Sequence, residues 1–502
     1  MRKLMSIGIL SCLFAFSANA QDSLQLHLQG IKERVSQDRA TRNDFYKLPA
    51  LRPFQYKQSM TPVDISYFSD NKELYNYQIG SGDKGFRIKT DSYIKNSFPN
   101  LTLWGNATYE NIKVQDLKFN ETSDYHLVFP YLIADSVGGN LNSEVYQFSG
   151  GIAKEIGNWV LAGEAGYKAN LSHRKRDPRP DNNSSDIYAQ IGASYFLTPA
   201  YLISAHVGGR FYKQRNTLDF ISEKGRPQVF YFNGLAAYNR LLSGSFNPPG
   251  QFLYNVNGIN AKLSLAPKND AGVMAEVGVS QNSGKRTLPL SSANANDWTD
   301  QVISGKLGYV NANDSWRYGA MAKMDLQTRK GSEGLFNNDG AVTGGYTKIS
   351  EISSYRYYNF QYNLEAFIGK ENWSIKPFAA FTQIKEQYLN PFREQWADIV
   401  KVGVQGQYLY QMKDGLFGIS LNLQKQKVLD KNSVFNITRG TALEDLLSQN
   451  YMFLTAEPFT VGGEARYDFV VNEQVKPFVK ANALTSTEII QKYYALTLGF
   501  VF

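Results

Sequence analysis

The stretch that decides the fold closes the chain: Tyr494-Ala495-Leu496-Thr497-Leu498-Gly499-Phe500-Val501-Phe502. Tyr494, Leu496, Leu498, Phe500 and Phe502 occupy every second position, and the last residue is aromatic. A period of two describes a strand with one apolar face. A terminal strand of this form, ending in Phe, matches the signal by which assembly machinery recognises outer-membrane β-barrels.

The opposite end of the chain supports the same address. Arg2 and Lys3 precede an apolar run from Leu4 to Phe16, and Ala18-Asn19-Ala20 reads as a small-x-small cleavage site before Gln21. The run is too short for a membrane-spanning helix, which needs about 20 residues. Ile9-Leu10-Ser11-Cys12 is a weak lipoprotein signal, because cleavage there would leave little apolar core. Residues 1–20 are therefore expected to be a signal peptide, 21–60 an N-terminal periplasmic or luminal segment, and 61–502 the barrel.

Removing Cys12 leaves no cysteine, which excludes disulfides, thiolate metal sites and a Cys nucleophile. The 32 Tyr, 31 Phe and 41 Gly, with negative mean hydropathy, suit strands with an apolar outer and a polar inner face. Net charge is +8, falling to +6 without Arg2 and Lys3, which is mild for this length and points to no nucleic-acid partner.

Hairpins dominate from about residue 85. Short polar turns lead directly into aromatics: Glu155–Asn158 into Trp159, Leu197–Ala200 into Tyr201, Asn311–Ser315 into Trp316, Gly369–Asn372 into Trp373, and Lys413–Gly415 towards Phe417; Asn472-Glu473 divides two more strands. Asn, Asp, Gly and Pro supply turn backbone angles, and aromatics beside the turns form a membrane-interface girdle. Between turns the alternation is clean. Trp159, Leu161 and Tyr167 oppose Glu164 and Lys168; Tyr318, Met324 and Leu326 oppose Arg317, Lys323 and Asp325. A charge facing the lipid midplane costs roughly 2–4 kcal/mol, so the charged face must line the lumen.

This pattern predicts an all-β fold: a transmembrane antiparallel up-and-down barrel of about 16 strands (14–18), with short periplasmic turns and long extracellular loops. The expected long connections are Asn111–Ser143, Ala169–Asp186, Lys213–Leu253, Gln281–Asp300, Thr328–Arg356, Gln387–Asp398 and Leu429–Pro458, with one early strand near Tyr75. In the N-terminal segment, Leu24, Leu26, Leu28, Ile31 and Val35 suggest a short helix, and Pro49–Phe54 an extended stretch. The segment is too short for the separate plug domain of TonB-dependent receptors.

Four features are candidates for chemistry. The expected lumen lining comprises ten bases (Lys168, Arg210, Lys262, Lys306, Arg317, Lys323, Lys401, Arg466, Lys476, Lys480) and seven acids (Glu110, Glu164, Glu276, Asp325, Glu365, Glu464, Asp468). It describes either a water-filled path with weak anion preference or a self-paired polar core. The loop Ser172–Asp181 carries four bases in six residues, Arg174, Lys175, Arg176 and Arg179, beside Asp177. It is either a clamp for lipopolysaccharide phosphates or another anion, or a solvated loop tip. The histidines, His27, His126, His173 and His206, form no catalytic array. His206 alternates with Ser204 and Arg210 on the luminal face, and Asp124 with His126 is the one pair expected at the extracellular rim, so no enzyme is expected. Ala442–Leu447 reads as a helical patch folding over the mouth. No metal or cofactor motif is present.

The segments Ala134-Asp135-Ser136-Val137-Gly138-Gly139, Tyr146 with Ser149-Gly150, Arg176-Asp177-Pro178-Arg179-Pro180, Tyr212-Lys213-Gln214 before Asn216, and Gly499-Phe500-Val501-Phe502 carry a wider likeness. The mature chain resembles an uncharacterised family of outer-membrane β-barrels from Bacteroidota. That resemblance implies company with TonB-dependent receptors and surface lipoproteins, and a role in nutrient or iron acquisition. It fixes no residue role, but draws attention to Asp135, Arg176, Asp177 and Arg179 on expected extracellular loops.

The expected function is a channel or uptake-associated barrel for small polar solutes. The alternative is a non-conducting surface receptor, or a subunit of a TonB-linked or export complex; an outer-membrane enzyme is the remotest reading. Expected partners are outer-membrane lipid and lipopolysaccharide, the barrel-assembly machinery through the C-terminal strand, and a surface lipoprotein or TonB-dependent receptor.

Overall fold

The computed structural model describes residues 21–222, 227–243, 250–288, 293–312, 316–338, 346–469 and 475–502. The signal-peptide reading with Cys12, turn residues 313–315, the Asn472-Glu473 turn, and the side chains of Leu24, Leu26 and His27 lie outside the described residues.

Eighteen strands join side by side, every neighbouring pair antiparallel, from Pro62–Asn71 to Lys492–Val501. The last strand then pairs with the first, Pro62 opposite Val501 and Asn71 opposite Lys492, so the sheet closes into a barrel without a free edge. Closure pairs the lipid-crossing part of each strand with neighbours on both sides, the condition for crossing lipid. Eighteen is the upper end of the expected range. The early strand is not at Tyr75, which lies in the connection between Pro62–Asn71 and Gly82–Lys95. In Pro62–Asn71 the apolar members Val63, Ile65 and Tyr67 alternate with Asp64, Ser66 and Phe68, and this modest pattern conceals a full wall strand.

The alternation sorts the side chains as read. Ile65, Tyr67, Leu161, Ile259, Val277, Leu307, Val402, Leu421 and Leu498 stand on the outer surface, and the polar residues between them face the lumen. This outer apolar surface makes the chain an integral outer-membrane protein in contact with lipid. Trp159, Tyr201, Trp316, Trp373 and Phe417 all sit beside the short turns, at the end where the barrel's first strand begins and its last strand stops. Trp316 and Trp373 meet edge to face at 6.0 Å, and Trp159 meets Tyr195 at 4.8 Å.

At the opposite end, several expected loops are strand. His173 and Arg179 are separated only by a tight turn, and Leu389 is followed at Phe392 by the next strand. Likewise the strands ending at Asp219, Leu288 and Asn338 run well into the connections expected there. Hairpin pairing needs no apolar outer face once the wall rises beyond the bilayer, so apolar alternation stops before the strand does.

Candidate functional site

Segments of the chain fold into the lumen at both ends. The periplasmic closure is the N-terminal segment: helices Gln21–Val35 and Gln37–Phe45, then a 3₁₀ turn over Pro49–Phe54 where extended chain was expected. Pro49 and Pro53 are compatible with helical φ, and the Leu51 and Arg52 amides donate to the Leu48 carbonyl at 2.9 and 3.1 Å. Leu28 and Ile31 pack on Met60, Leu409, Leu416, Phe478 and Val501. Phe45, Tyr46, Leu51 and Phe54 pack against Trp104, Leu202, Met274, Met321 and Phe367 on other sectors of the wall. The segment therefore spans the mouth.

Ion pairs hold it there. Asp44 faces Lys306 at 3.2 Å and Lys323 at 2.9 Å. Burial opposes ionisation of Asp44, but the hydrogen bond from Lys47 and the two wall lysines outweigh it and keep the carboxyl well below the usual range. Asp270, on a periplasmic turn, receives Arg39 at 3.0 Å, Arg42 at 3.5 Å and Lys57 at 2.7 Å. Burial again acts against it, yet these cations bring its pKa down to about 2. Thr41 donates to Glu365 at 3.1 Å, and Gln407 both accepts from the Gln37 amide and donates to the Val35 carbonyl, each at 2.9 Å. His206 does face inward, where its Nε2 accepts the Ala50 amide at 3.1 Å.

The extracellular closure is made by connections folding inward. Ile133–Asp135 pairs with Val229–Gly234, which pairs with Ala237–Tyr238, forming a three-stranded sheet inside the barrel. Around it lies the largest apolar cluster, including Phe119, Val128, Tyr131, Leu132, Tyr231, Phe232 and Trp298. Helix Ala442–Leu454 covers this cluster with Leu446 and Leu447, which agrees with the expected helical patch over the mouth. Its N-terminus is capped: Thr441 Oγ1 accepts the Glu444 amide at 3.3 Å and Glu444 accepts the Gly440 amide at 2.6 Å.

Arginines without a signature in the sequence anchor the inward fold. Arg286, fully buried, donates to Asn296 Oδ1 at 2.9 Å and the Leu132 carbonyl at 3.2 Å. Arg329 pairs with Asp300 at 3.2 Å and donates to the carbonyls of His126, at 3.1 Å, and Phe129. An isolated Arg on a strand looks the same whether it meets water or a folded-in loop.

Two of the candidate loop-binding residues need correction. Asp135 and Arg174 are interior: Asp135 accepts the Val137 and Gly138 amides at 2.7 and 2.9 Å, and Arg174 pairs with Glu121 at 2.7 Å. Their charges are consumed in fixing the turn and the inward excursion, which leaves neither for an external ligand. Asp177 is tied to Arg179 at 2.7 Å and to the amides of Ile221 and Ser222, while Lys175 and Arg176 remain exposed. Asp124 and His126 are also inside the barrel rather than on its rim. The Asp124 oxygens receive Lys168 at 2.6 Å, Ser184 at 2.9 Å and Tyr212 at 3.0 Å, and the His126 ring is exposed to the neighbouring cavity, where partial desolvation and then Arg329 lower its pKa.

All seventeen expected lumen residues lie on the inner face. Most are matched within the protein: Lys168 with Asp124, Arg210 with Asp186, Lys262 and Lys306 with Glu276, Arg466 with Asp468, Lys480 with Glu464, Glu110 with Arg87, and Glu365 with Lys376. Glu164 accepts from Trp104 Nε1 at 2.7 Å and Tyr188 at 3.0 Å. This is the self-paired alternative for most of the wall. Among the described residues no group of three His, Cys, Asp or Glu stands ready for a metal ion.

Space remains inside. A cavity of about 350 Å³ lies against the inward excursion, lined by Asp124, His126, Arg210, Asp300 and Arg329. A larger chamber of about 520 Å³ is lined by Gln361, Asn363, Thr382, Lys401, Gln405 and Gln424, with Phe378 and Glu365.

A closed apolar-skinned barrel, with segments folded into its lumen at both ends around a polar chamber, defines an outer-membrane β-barrel with a filled lumen. The chain belongs to the family of unknown function DUF6850, whose model matches residues 49–502. No match is found among curated proteins. Among solved structures, the chain is similar to BauA, the ferric preacinetobactin receptor of Acinetobacter baumannii, at 9% identity and a TM-score of 0.38, covering 88% of this chain and 80% of that one. It is similar to the outer membrane transporter YddB of Escherichia coli at 7% identity and a TM-score of 0.40, covering 88% and 81%. For the siderophore receptor PiuA of Acinetobacter baumannii the values are 9%, 0.37, 89% and 82%.

Proposed function

We propose that the protein is an uptake barrel for small polar solutes that rests closed and opens when its N-terminal segment is displaced. The observation that carries this reading is the attachment of residues 28–60. They block the periplasmic mouth through side-chain packing and ion pairs to Asp270, Lys306 and Lys323, not as part of the wall. A plug held this way leaves while the eighteen strands stay paired. A passive open pore is disfavoured by the same closure. In this reading the protein catalyses no reaction. The C-terminal strand is offered to the assembly machinery, and exposed Lys175 and Arg176 to lipopolysaccharide phosphate.

Single-channel conductance in a planar bilayer tests the proposal. The full chain is expected to conduct little, and a variant lacking residues 21–60 to give small steady steps past the inward-folded extracellular loops. Steady conduction by the full chain would make it an open porin. Silence from both would favour the second reading, a non-conducting receptor or complex subunit, which draws on the inward-folded extracellular loops.

A further inference from the structure

Most luminal charges are matched; among the described residues Asp325 and Lys401 make no ion pair, and Lys401 stands in a chamber whose other polar side chains are largely unengaged. Lys401 makes no ion pair among the described residues, and the Asn363, Thr382, Gln405 and Gln424 side chains make no hydrogen bond to the protein there. All five line the 520 Å³ chamber. They come from four consecutive strands, Tyr346–Gly369, Trp373–Leu389, Phe392–Met412 and Gly415–Phe435. Register sets them side by side: Asn363 opposite Ala380, Ala380 opposite Lys401, Lys401 opposite Gln426, and Gln405 opposite Asn422. Ala380 and Gly403 keep the wall thin between the long side chains. At Gly403 a Cβ would come within 2.4 Å of Phe378 Cζ, so the glycine allows that ring to lie across the wall. The Phe378 ring thus offers an apolar surface beside the amides.

The chamber has a floor and a roof. Glu365, held by Thr41 of the N-terminal segment, borders the chamber below. Ile399 borders it above, in a small apolar cluster with Ala397, Val428 and Leu454. Gln426 is fixed by donating to the Ala456 carbonyl at 2.9 Å.

Each carboxamide presents a donor and an acceptor, and so does a hydroxyl. A wall of amides and a hydroxyl, with one flat apolar ring, therefore complements a molecule carrying many hydroxyls and an apolar ring face. The single unmatched cation adds a demand for one negative charge. The volume falls within the range of small-molecule sites. We propose that this chamber binds a polyhydroxylated solute carrying one carboxylate, a sugar acid, with Lys401 receiving the carboxylate and Asn363, Gln405 and Gln424 the hydroxyls. This deepens, and rests on, the reading of the protein as an uptake barrel.

Equilibrium dialysis of the full-length protein in detergent, with labelled glucuronate and glucose as probes, tests the site. Saturable binding of glucuronate tighter than of glucose is expected. Lys401→Gln is expected to weaken glucuronate binding by about tenfold, the effect of losing one hydrogen bond to a charged group, and to leave glucose binding nearly unchanged. Gln405→Ala with Gln424→Ala is expected to weaken both sugars. Absence of saturable binding of either sugar, or equal affinities insensitive to Lys401→Gln, overturns the assignment. Flux of glucuronate into vesicles through the variant lacking residues 21–60 separates the two claims. Binding without flux leaves the site standing and removes the uptake reading, whereas flux without saturable binding does the reverse.

Discussion

The Arg174 guanidinium donates to the Glu121 carboxylate at 2.7 Å where neither side chain reaches solvent. Asp135 lies 3.9 Å from the same guanidinium. The three residues come from the two ends of the inward excursion and from the turn between adjacent wall strands, so one cation fastens the extracellular closure to the barrel. The Glu121 carbonyl adds hydrogen bonds from Asn182 and Asn216 at 2.9 and 2.7 Å.

Removing that cation strands two buried carboxylates. Arg174→Met is expected to destabilise the closure by about 3–5 kcal/mol, the range for breaking a buried pair from one side. Trypsin cleavage after Lys118, at the start of the excursion, would report it. Unchanged protection in the variant would show that the apolar cluster alone holds the loop.

The two closures should respond to pH with opposite signs. Burial and the neighbouring Asp135 raise the Glu121 pKa well above its ordinary 4.5, despite Arg174. A carboxyl raised on folding contributes stability that is complete below 4.5 and is lost as pH rises through the folded value. Asp44 and Asp270 are lowered, so their contributions are present above their ordinary 3.8 and are lost as pH falls towards the folded values, about 2 for Asp270. Hydrogen exchange followed by mass spectrometry should show residues 118–138 loosening as pH rises above 4.5 and residues 28–57 loosening below about pH 4. Loosening of both at the same end of the pH range would contradict the assigned partners.

The notch at Gly331 makes room for Tyr131. A Cβ on Gly331 would stand 1.8 Å from Tyr131 Oη, and that hydroxyl has no hydrogen-bond partner among the described residues. Gly331→Ala is expected to cost about 1–3 kcal/mol through overpacking, while Tyr131→Phe alone is nearly neutral. Combining them should recover part of the loss in urea-unfolding free energy, because the closest clash is gone although the ring Cζ still stands 2.8 Å from the new Cβ. A purely additive double mutant would place the strain elsewhere.

On the outer surface, Ile259→Arg should cost roughly 2–4 kcal/mol near the bilayer midplane. The measurement is reversible folding into lipid vesicles. The neighbouring luminal position provides the control, and Asn260→Arg should cost clearly less. Equal penalties would mean that the assigned faces are wrong.

Much of this molecule is readable from local pattern. A strand that crosses lipid must put apolar groups outward and keep charge inward, so Tyr494–Phe502, Trp159–Tyr167 and Tyr318–Leu326 disclose barrel, faces and membrane address through their period of two. The turn-flanking aromatics are local too. The seventeen luminal charges follow from the same alternation, since an inner face is fixed once the outer one is.

What fills the barrel was decided only by tertiary structure. Sequence spacing could not tell an open path from a self-paired core, because Lys306 and Lys323 meet Asp44 across more than 250 residues of chain. Asp135 and Arg174 sit in segments with the composition of exposed loops, yet they are buried by the folding-in of those segments. Pro49–Phe54 reads as extended until its 3₁₀ turn is packed against the wall. The reason is physical: lipid imposes its demand on each strand separately and writes it into local periodicity, whereas the plug and the unmatched sector around Lys401 arise from contacts between distant residues, which leave no period in the sequence.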